Sequence, residues 1–384
     1  MKPLSQAVSA VPASGIRRFF DLVAEMDDVI SLGVGEPDFV TPWRVREAAI
    51  YSLEQGRTTY TSNYGLLELR QEIARMHRER SGASYDPATE ILVTVGVSEA
   101  LDTAFRALLD QGDEVIVPEP CYVSYIPCVA FAGGVPVSVP SRAENGFRVD
   151  PDEVRARITS RTKAILLSYP SNPTGAVMDR EGLQALVDIA TEHDLYLVSD
   201  EIYDRLSYDA PHVSVASLPG AQERTILLNG FSKAYAMTGW RIGYACAPAS
   251  VIEVMMKIHQ YTMLCAPITA QLGAIEALRH GDADAQAMTE DYDNRRRLFV
   301  TGLNEVGLDC PLPGGAFYAY PSIKPTGLSA EAFAERLLKE ERVLVVPGDV
   351  FGPSGAGHIR CCYATATNKL TEALQRLEQF LQRL

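Results

Sequence analysis

The chain has 384 residues, 47% hydrophobic and 22% charged, enough for one large or two medium cores and ordinary for a globular enzyme. Its formal charge of −14 opposes a nucleic-acid footprint, which needs a basic stripe. No basic-then-apolar leader and no apolar run near ~18 residues occur, so a cytoplasmic protein without membrane contact is expected.

The cysteines number 7, an odd count, and none forms a Cys-x-x-Cys pair. The 6 histidines lack ligand spacing, so neither a disulfide framework nor a metal site is expected. Cys361 and Cys362 follow Ile359-Arg360 in what reads as a buried strand, where free cysteine behaves as a small apolar residue.

The first 45 residues carry a helical pattern over 16–26, then the loop SLGVGEPDFVTP. A helix over 44–55 leads to the loop at 60–65. From residue 90 onward, short β-branched runs alternate with amphipathic stretches. The runs are ILVTV, EVIVP, VPVSVP, AILLSYP, LYLVSD, TILLNG and RIGYACA, with helical patterns such as 98–109 and 180–193 between several of them. This predicts an α/β fold with a mainly parallel, seven-stranded sheet covered by helices, over residues 46–285. After a helical stretch over 284–306 come GLDCPLPGGAFYAYPSI, a helix over 330–340, VLVVPG, HIRCCYA and a last helix. These read as a smaller α+β domain, 286–384, joined by the N-terminal segment 1–45.

Three strands end in polar residues that a strand interior does not explain. One runs into Ser171-Asn172-Pro173-Thr174-Gly175, one into Asp200-Glu201-Ile202-Tyr203, and one into Gly230-Phe231-Ser232-Lys233. Ligands of open α/β sheets bind outside the carboxyl ends of the strands, where these clusters would meet. TVGVSEAL adds a Gly-containing turn between strand and helix, which points the amides of Val97 and Ser98 at an anion. Each cluster has a plainer reading when taken alone. Asp200 suits a helix cap, Asn172-Pro173 a turn, Arg241 a surface ion pair and Lys233 a solvated strand end. Their coincidence at successive strand ends favours chemistry.

Burying the Lys233 ammonium is costly unless its pKa falls, and a lysine with a lowered pKa can bond to an aldehyde. With a carboxylate for a ring nitrogen, neutral donors for a phenolic oxygen and an anion cradle, the set describes partners for pyridoxal 5′-phosphate.

The chain resembles a class I aminotransferase of the fold-type I pyridoxal-phosphate family. The resemblance rests on GFSK at 230–233 through GWRIG at 239–243, with SNPTG, SDEIY and GEPDF in the family's order. It implies that Lys233 bonds the cofactor covalently and then shuttles a proton. It implies Asp200 as the partner of the pyridine nitrogen, with Asn172 and Tyr203 as donors to the phenolic oxygen. Arg241 and Ser232, with the backbone of Val97 and Ser98, would form the phosphate site. Tyr122 would stack on the ring in place of the tryptophan of many relatives, keeping a π face of smaller area. Tyr60 would reach the phosphate of a neighbouring subunit in a homodimer. Arg360 would clamp the substrate α-carboxylate bidentately, with Asn172 and the backbone of Gly35.

Two departures from the family pattern stand out. Gly230 lies where several relatives carry a phosphate-binding serine. Ser98 lies where some dicarboxylate-specific relatives carry lysine, which weakens the case for a side-chain carboxylate. GVSEALD, YPSNPTG and KIHQY point to a bacterial and archaeal branch of aspartate, aromatic and acetyl-diaminopimelate aminotransferases. The expected reaction moves an amino group between an L-amino acid and a 2-oxo acid by a ping-pong route, with 2-oxoglutarate the default acceptor. The alternative is a C–S β-lyase on the same scaffold. A DNA-binding regulator with an aminotransferase-like half would need a basic face and a helix-turn-helix pattern, and neither is read here.

Overall fold

The computed structural model describes residues 2–13, 15 and 26–384. Apart from Met26, the helix expected over 16–26 lies outside the described residues. Strands in chain order are β1 (Ile30–Ser31), β2 (Ile91–Thr94), β3 (Glu114–Glu119), β4 (Val135–Pro140), β5 (Thr162–Ser168) and β6 (Tyr196–Asp200). They continue with β7 (Thr225–Gly230), β8 (Gly243–Cys246), β9 (Tyr318–Ala319), β10 (Val343–Leu344), β11 (Val346–Pro347) and β12 (Ile359–Cys362).

All seven expected runs enter one sheet, in the order β2-β8-β7-β6-β5-β3-β4. The pairs β3–β4, β3–β5, β5–β6 and β6–β7 are parallel, while β8 runs antiparallel to both β2 and β7. Parallel return requires a crossover, usually a helix, to carry the chain back. Residues 231–242 instead form a wide loop with a single 3-10 turn, Thr238–Trp240, so β8 reverses direction beside β7. That loop carries Lys233.

Helices cover both faces, which is why the central strands are apolar on both sides. On one face, Val97–Leu108 and Ala249–Thr262 bury Ala100, Ala104, Phe105, Ile252 and Met255 against Val115, Leu166, Val198 and Leu228. On the other, Arg180–Glu192 buries Leu186, Val187 and Ile189 against Ile165 and Leu197. Each such valine, leucine, isoleucine, methionine or phenylalanine contributes about 1.5–3 kcal/mol, and each alanine less. Asp179 caps the Arg180–Glu192 helix by accepting from the Gly182 amide at 2.8 Å, which stabilises it by about 1 kcal/mol. The helices expected over 44–55, 98–109, 180–193 and 284–306 occur as Trp43–Glu54, Val97–Leu108, Arg180–Glu192 and Asp282–Glu305. The shifts of one or two residues are those of fraying helix ends.

The C-terminal part forms a second core. β11, β12 and β9 make an antiparallel sheet with β12 in the middle, and β1 pairs in parallel with β10 through Ile30↔Val343. Ile30 and Leu32 pack with Phe317, Phe333, Leu344 and Phe380. The N-terminal segment is thereby anchored to this core. The residues that follow it, Gly33 to Glu36, reach the carboxyl edge of the large sheet.

Candidate active site

A cavity of about 550 Å³ opens at that edge. The ends of β5, β6 and β7, the β2-to-helix turn, the Gly33–Glu36 segment and β12 all contribute to its wall. Of the twelve residues singled out by sequence, eleven line it: Gly35, Val97, Ser98, Tyr122, Asn172, Asp200, Tyr203, Ser232, Lys233, Arg241 and Arg360. The twelfth, Tyr60, is 81% exposed and does not line the cavity of its own chain.

Lys233 follows β7 by three residues and points across the cavity, where its Nζ donates to the Gly35 carbonyl at 2.6 Å. The rings of Tyr203 and Phe317 lie 5.9 and 5.6 Å from Nζ. Lys233 is partly buried in the cavity wall. Burial therefore lowers its pKa to about 8, against a counter-pull from Cys362 and Glu36. An amine in that range is uncharged often enough near neutral pH to bond an aldehyde or take up a proton.

Asp200 ends β6 and is buried. Its carboxylate accepts from the Tyr125 hydroxyl at 2.8 Å and from the Ile202 amide at 3.2 Å. Burial raises its pKa to about 6, and those hydrogen bonds offset the rise only in part. No side-chain cation hydrogen-bonds to it among the described residues, so the site presents an acid that lacks a positive partner. A protonated ring nitrogen meets that need. The plainer reading, in which Asp200 caps a helix, accounts for the Ile202 bond alone.

Glu201, the next residue, is also buried and is fully engaged. Its carboxylate accepts from the Ser199 hydroxyl at 3.0 Å, the Ser214 hydroxyl at 3.2 Å and the Val215 amide at 2.9 Å, and lies 2.8 Å from His212 Nε2. Burial pushes its pKa up, but His212 and the donors outweigh that and hold it low. Burial works against the His212 imidazolium, yet Glu201 raises its pKa overall. The pair keeps a second uncompensated charge away from Asp200.

Arg360, in β12, is buried beside the cavity. It donates through Nη1 to Asn172 Oδ1 at 2.9 Å and through Nη2 to the Gly33 carbonyl at 2.6 Å. Its guanidinium carbon lies 4.6 Å from the Tyr318 ring centre and 4.9 Å from that of Phe351. Those bonds use two of five N–H groups, and its buried Nε has no partner. Spare donors on a fixed, desolvated guanidinium suit a carboxylate.

The anion cradle is built by close backbone approach. Gly96 has φ +75°, and a Cβ there would lie 2.5 Å from Arg241 Nη2. A Cβ on Gly243 would lie 2.7 Å from the Val97 nitrogen. Both positions therefore exclude a side chain and leave the first amides of the Val97–Leu108 helix open to the cavity, where no intrahelical carbonyl can reach them. Arg241 takes a left-handed backbone, φ +52°, and donates from Nη1 to the Thr238 carbonyl at 2.9 Å. Its other terminal nitrogen faces the cradle. Two amides, two hydroxyls (Ser98 and Ser232) and a guanidinium match a phosphate dianion.

Four contributors went unassigned in the sequence. Tyr125 and Tyr318 sit in strings without a recognised motif, and His212 and Gly33 act through partners distant in sequence. Tyr318, in β9, lines the cavity and its hydroxyl lies 2.7 Å from that of Tyr203. It lies within GGAFYAYP, a string that signals a change of pattern and no chemistry.

The family profile described as "Aminotransferase class I and II" matches residues 27–377. A Bacillus subtilis protein, YugH, provisionally named an aminotransferase, is 55% identical over 380 residues, 99% of this chain and 98% of that protein. An aspartate aminotransferase of Pyrococcus abyssi is 46% identical over 99% of this chain and 98% of its own length. The crystal structure of an aromatic aminotransferase from Pyrococcus horikoshii superposes with a TM-score of 0.92 at 45% identity, covering 96% of this chain and 99% of that one.

Proposed function

Since this chain belongs to the class I and II aminotransferases, enzymes that use pyridoxal 5′-phosphate to move amino groups between amino acids and 2-oxo acids, we propose that the cavity at the sheet's carboxyl edge is where it does so. The observation that carries this reading is the pairing, in one cavity, of a lysine with lowered pKa and a buried carboxylate without a cation. The cofactor, when bound, supplies an aldehyde that bonds amines and a ring that withdraws electrons from the carbon bearing the amino group.

Lys233 would hold that aldehyde, and its amine would move a proton at the substrate Cα. Asp200 holds the proton on the ring nitrogen, and Tyr125 fixes the carboxylate from behind. Asn172 and Tyr203 donate to the phenolic oxygen. The amides of Val97 and Ser98, the Ser98 and Ser232 hydroxyls and Arg241 take the phosphate. Tyr122, whose ring meets that of Tyr125 edge-on at 5.5 Å, would offer the cofactor ring a π face. Arg360, steadied by Asn172 and the Gly33 carbonyl, binds the α-carboxylate shared by all donors, with the Gly35 backbone alongside.

For the donor we assign an amino acid with a neutral, aromatic or apolar side chain. The side-chain cations that line the cavity, Lys233, Arg241 and Arg360, all have other duties, Glu36 adds a negative charge at the mouth, and Ser98 carries none. Val34, Leu101 and Ile202 offer apolar surface there. The aromatic relative supports this assignment and the aspartate-named one opposes it. 2-Oxoglutarate is the acceptor we assign by analogy alone.

We also propose a homodimer in the cytoplasm, in which Tyr60 enters the partner's phosphate site. Its 81% exposure, with exposed Trp43, Ile50, Tyr51, Leu53 and Tyr261 on the elements beside it, supports an apolar face that another copy covers. No helix of the described residues is long and apolar enough to cross a membrane. The division into a large domain, 46–285, and a small one, 1–45 with 286–384, is supported by one core drawn wholly from the large domain, while the small domain's core also takes in Tyr203, Leu206 and Ala236.

The test is a half-reaction. Amino acid added without acceptor should change the bound cofactor's absorbance and release one equivalent of 2-oxo acid per site. Catalytic release of ammonia and pyruvate would favour the C–S β-lyase alternative, which no observation on this chain favours.

A further inference from the structure

Tyr203 and Tyr318 come from different parts of the chain, β6's end and β9, and their hydroxyls lie 2.7 Å apart in a buried setting. Each hydroxyl has the other as its one hydrogen-bonding partner among the described residues. One hydroxyl proton fills the bond between them, which leaves the second proton uncommitted. Tyr203 lines the cavity and is proposed above as a donor to the phenolic oxygen. A hydroxyl that donates there can only accept from its neighbour.

The geometry allows little else for Tyr318. A Cβ on Gly35 would collide with its hydroxyl, so that residue is held to a glycine and walls the phenol in from the N-terminal segment. Arg360 lies over its ring at 4.6 Å, which pins the ring's face. The Tyr203 ring meets it edge-on at 5.8 Å. Burial raises the pKa of both phenols, so both stay protonated at working pH.

From this we infer, resting on the cofactor reading above, that Tyr318 is a positioning residue which donates to Tyr203 and so fixes Tyr203 as a donor to the cofactor's phenolic oxygen. The chain Tyr318 O–H to Tyr203 O–H to cofactor oxygen polarises in one direction, and the terminal bond is stronger than Tyr203 alone would make it. A stronger donor at that oxygen draws electron density from it. With that oxygen so stabilised, the bound cofactor's absorbance would change at a lower pH. Because Tyr318 shares its ring with Arg360, the same residue touches the group that takes the substrate carboxylate.

The test uses holoenzyme and two single substitutions, Tyr318→Phe and Tyr203→Phe. Phenylalanine keeps the ring under Arg360 and removes only the hydroxyl. The readout is the pH midpoint of the bound cofactor's absorbance change, with cofactor stoichiometry and melting temperature confirming the fold. Tyr203→Phe should move the midpoint upward by about one unit and Tyr318→Phe by about half of that. The double variant should move it no further than Tyr203→Phe alone, since the outer hydroxyl acts through the inner one. KM for the amino acid should stay within about twofold in Tyr318→Phe while kcat falls. If Tyr203→Phe moves the midpoint and Tyr318→Phe does not, or the shifts add, the relay is refuted while the cofactor site stands. If neither moves it, the assignment of Tyr203 falls and the relay with it.

Discussion

The Gly35 carbonyl accepts a hydrogen bond from Lys233 Nζ at 2.6 Å across 198 positions of sequence. One partner sits on the loop that replaces a crossover after β7, the other on the segment that β1 ties to the C-terminal core. The contact ties two parts of the cavity wall together and gives the lysine a neutral acceptor in place of a counter-ion. A neutral acceptor leaves the desolvation cost largely uncompensated, which is why the amine's pKa falls. Replacing Lys233 by alanine should abolish the covalent cofactor absorbance and reduce kcat by roughly 10³-fold or more, with the protein still folded. Absorbance spectra and circular dichroism check this together.

Asp200 and Lys233 make opposite contributions to stability against pH in the cofactor-free protein. The Asp200 pKa is raised from its ordinary 3.8 to about 6, so between those values the folded state holds more protons than the unfolded one, and stability falls as pH rises. The Lys233 pKa is lowered from 10.5 to about 8, so between those values the unfolded state holds more protons, and stability rises with pH. Asp200→Asn should abolish most activity, yet at pH 7 it should make the cofactor-free protein more stable, by at most about 3 kcal/mol. Urea melts at pH 4, 7 and 9 measure it. Unchanged pH dependence in the variant would contradict the buried, unpaired carboxylate.

Arg360→Ala removes a group whose partners are already in place. KM should rise by roughly 100-fold for every amino donor, because the α-carboxylate is common to all. Arg360→Lys should recover little, since an ammonium cannot present a planar fork. Steady-state kinetics with several donors decide the matter, and an effect confined to one donor would show that Arg360 serves a side chain instead.

A panel of donors assayed with 2-oxoglutarate tests the specificity assignment. Aromatic and apolar amino acids should exceed aspartate in kcat/KM by about tenfold or more, the usual cost of leaving a desolvated charge without a partner. Ser98→Lys should narrow that gap. A strong preference for aspartate in the unaltered enzyme would reverse the assignment.

The seven strands were legible because strands buried on both faces read as unbroken β-branched runs, as in ILVT and TILLNG. The site was legible where chemistry sits at strand ends: Asp200 and the residues just past Gly230 and Ser168 fall there by construction of the fold. Tyr125 was not, because it reaches Asp200 from 75 positions away on a short helix with no motif of its own. Tyr318 was hidden for the same reason, since its partners Tyr203 and Arg360 become neighbours only when β9 and β12 pair. His212 and Ser214, 11 and 13 positions after Glu201, carry a signal in the sequence, because a buried glutamate beside Asp200 demands partners. Tyr60 is exposed and does not line the cavity of its own chain, so a single chain leaves its expected role without a geometric test.

Reducing holoenzyme with borohydride, then mapping its peptides by mass spectrometry, tests the central assignment most directly. The cofactor's mass should be fixed on the peptide bearing Lys233, one per chain, and on no other lysine. Label on a different lysine, or a protein that takes up no cofactor to be fixed, would contradict it.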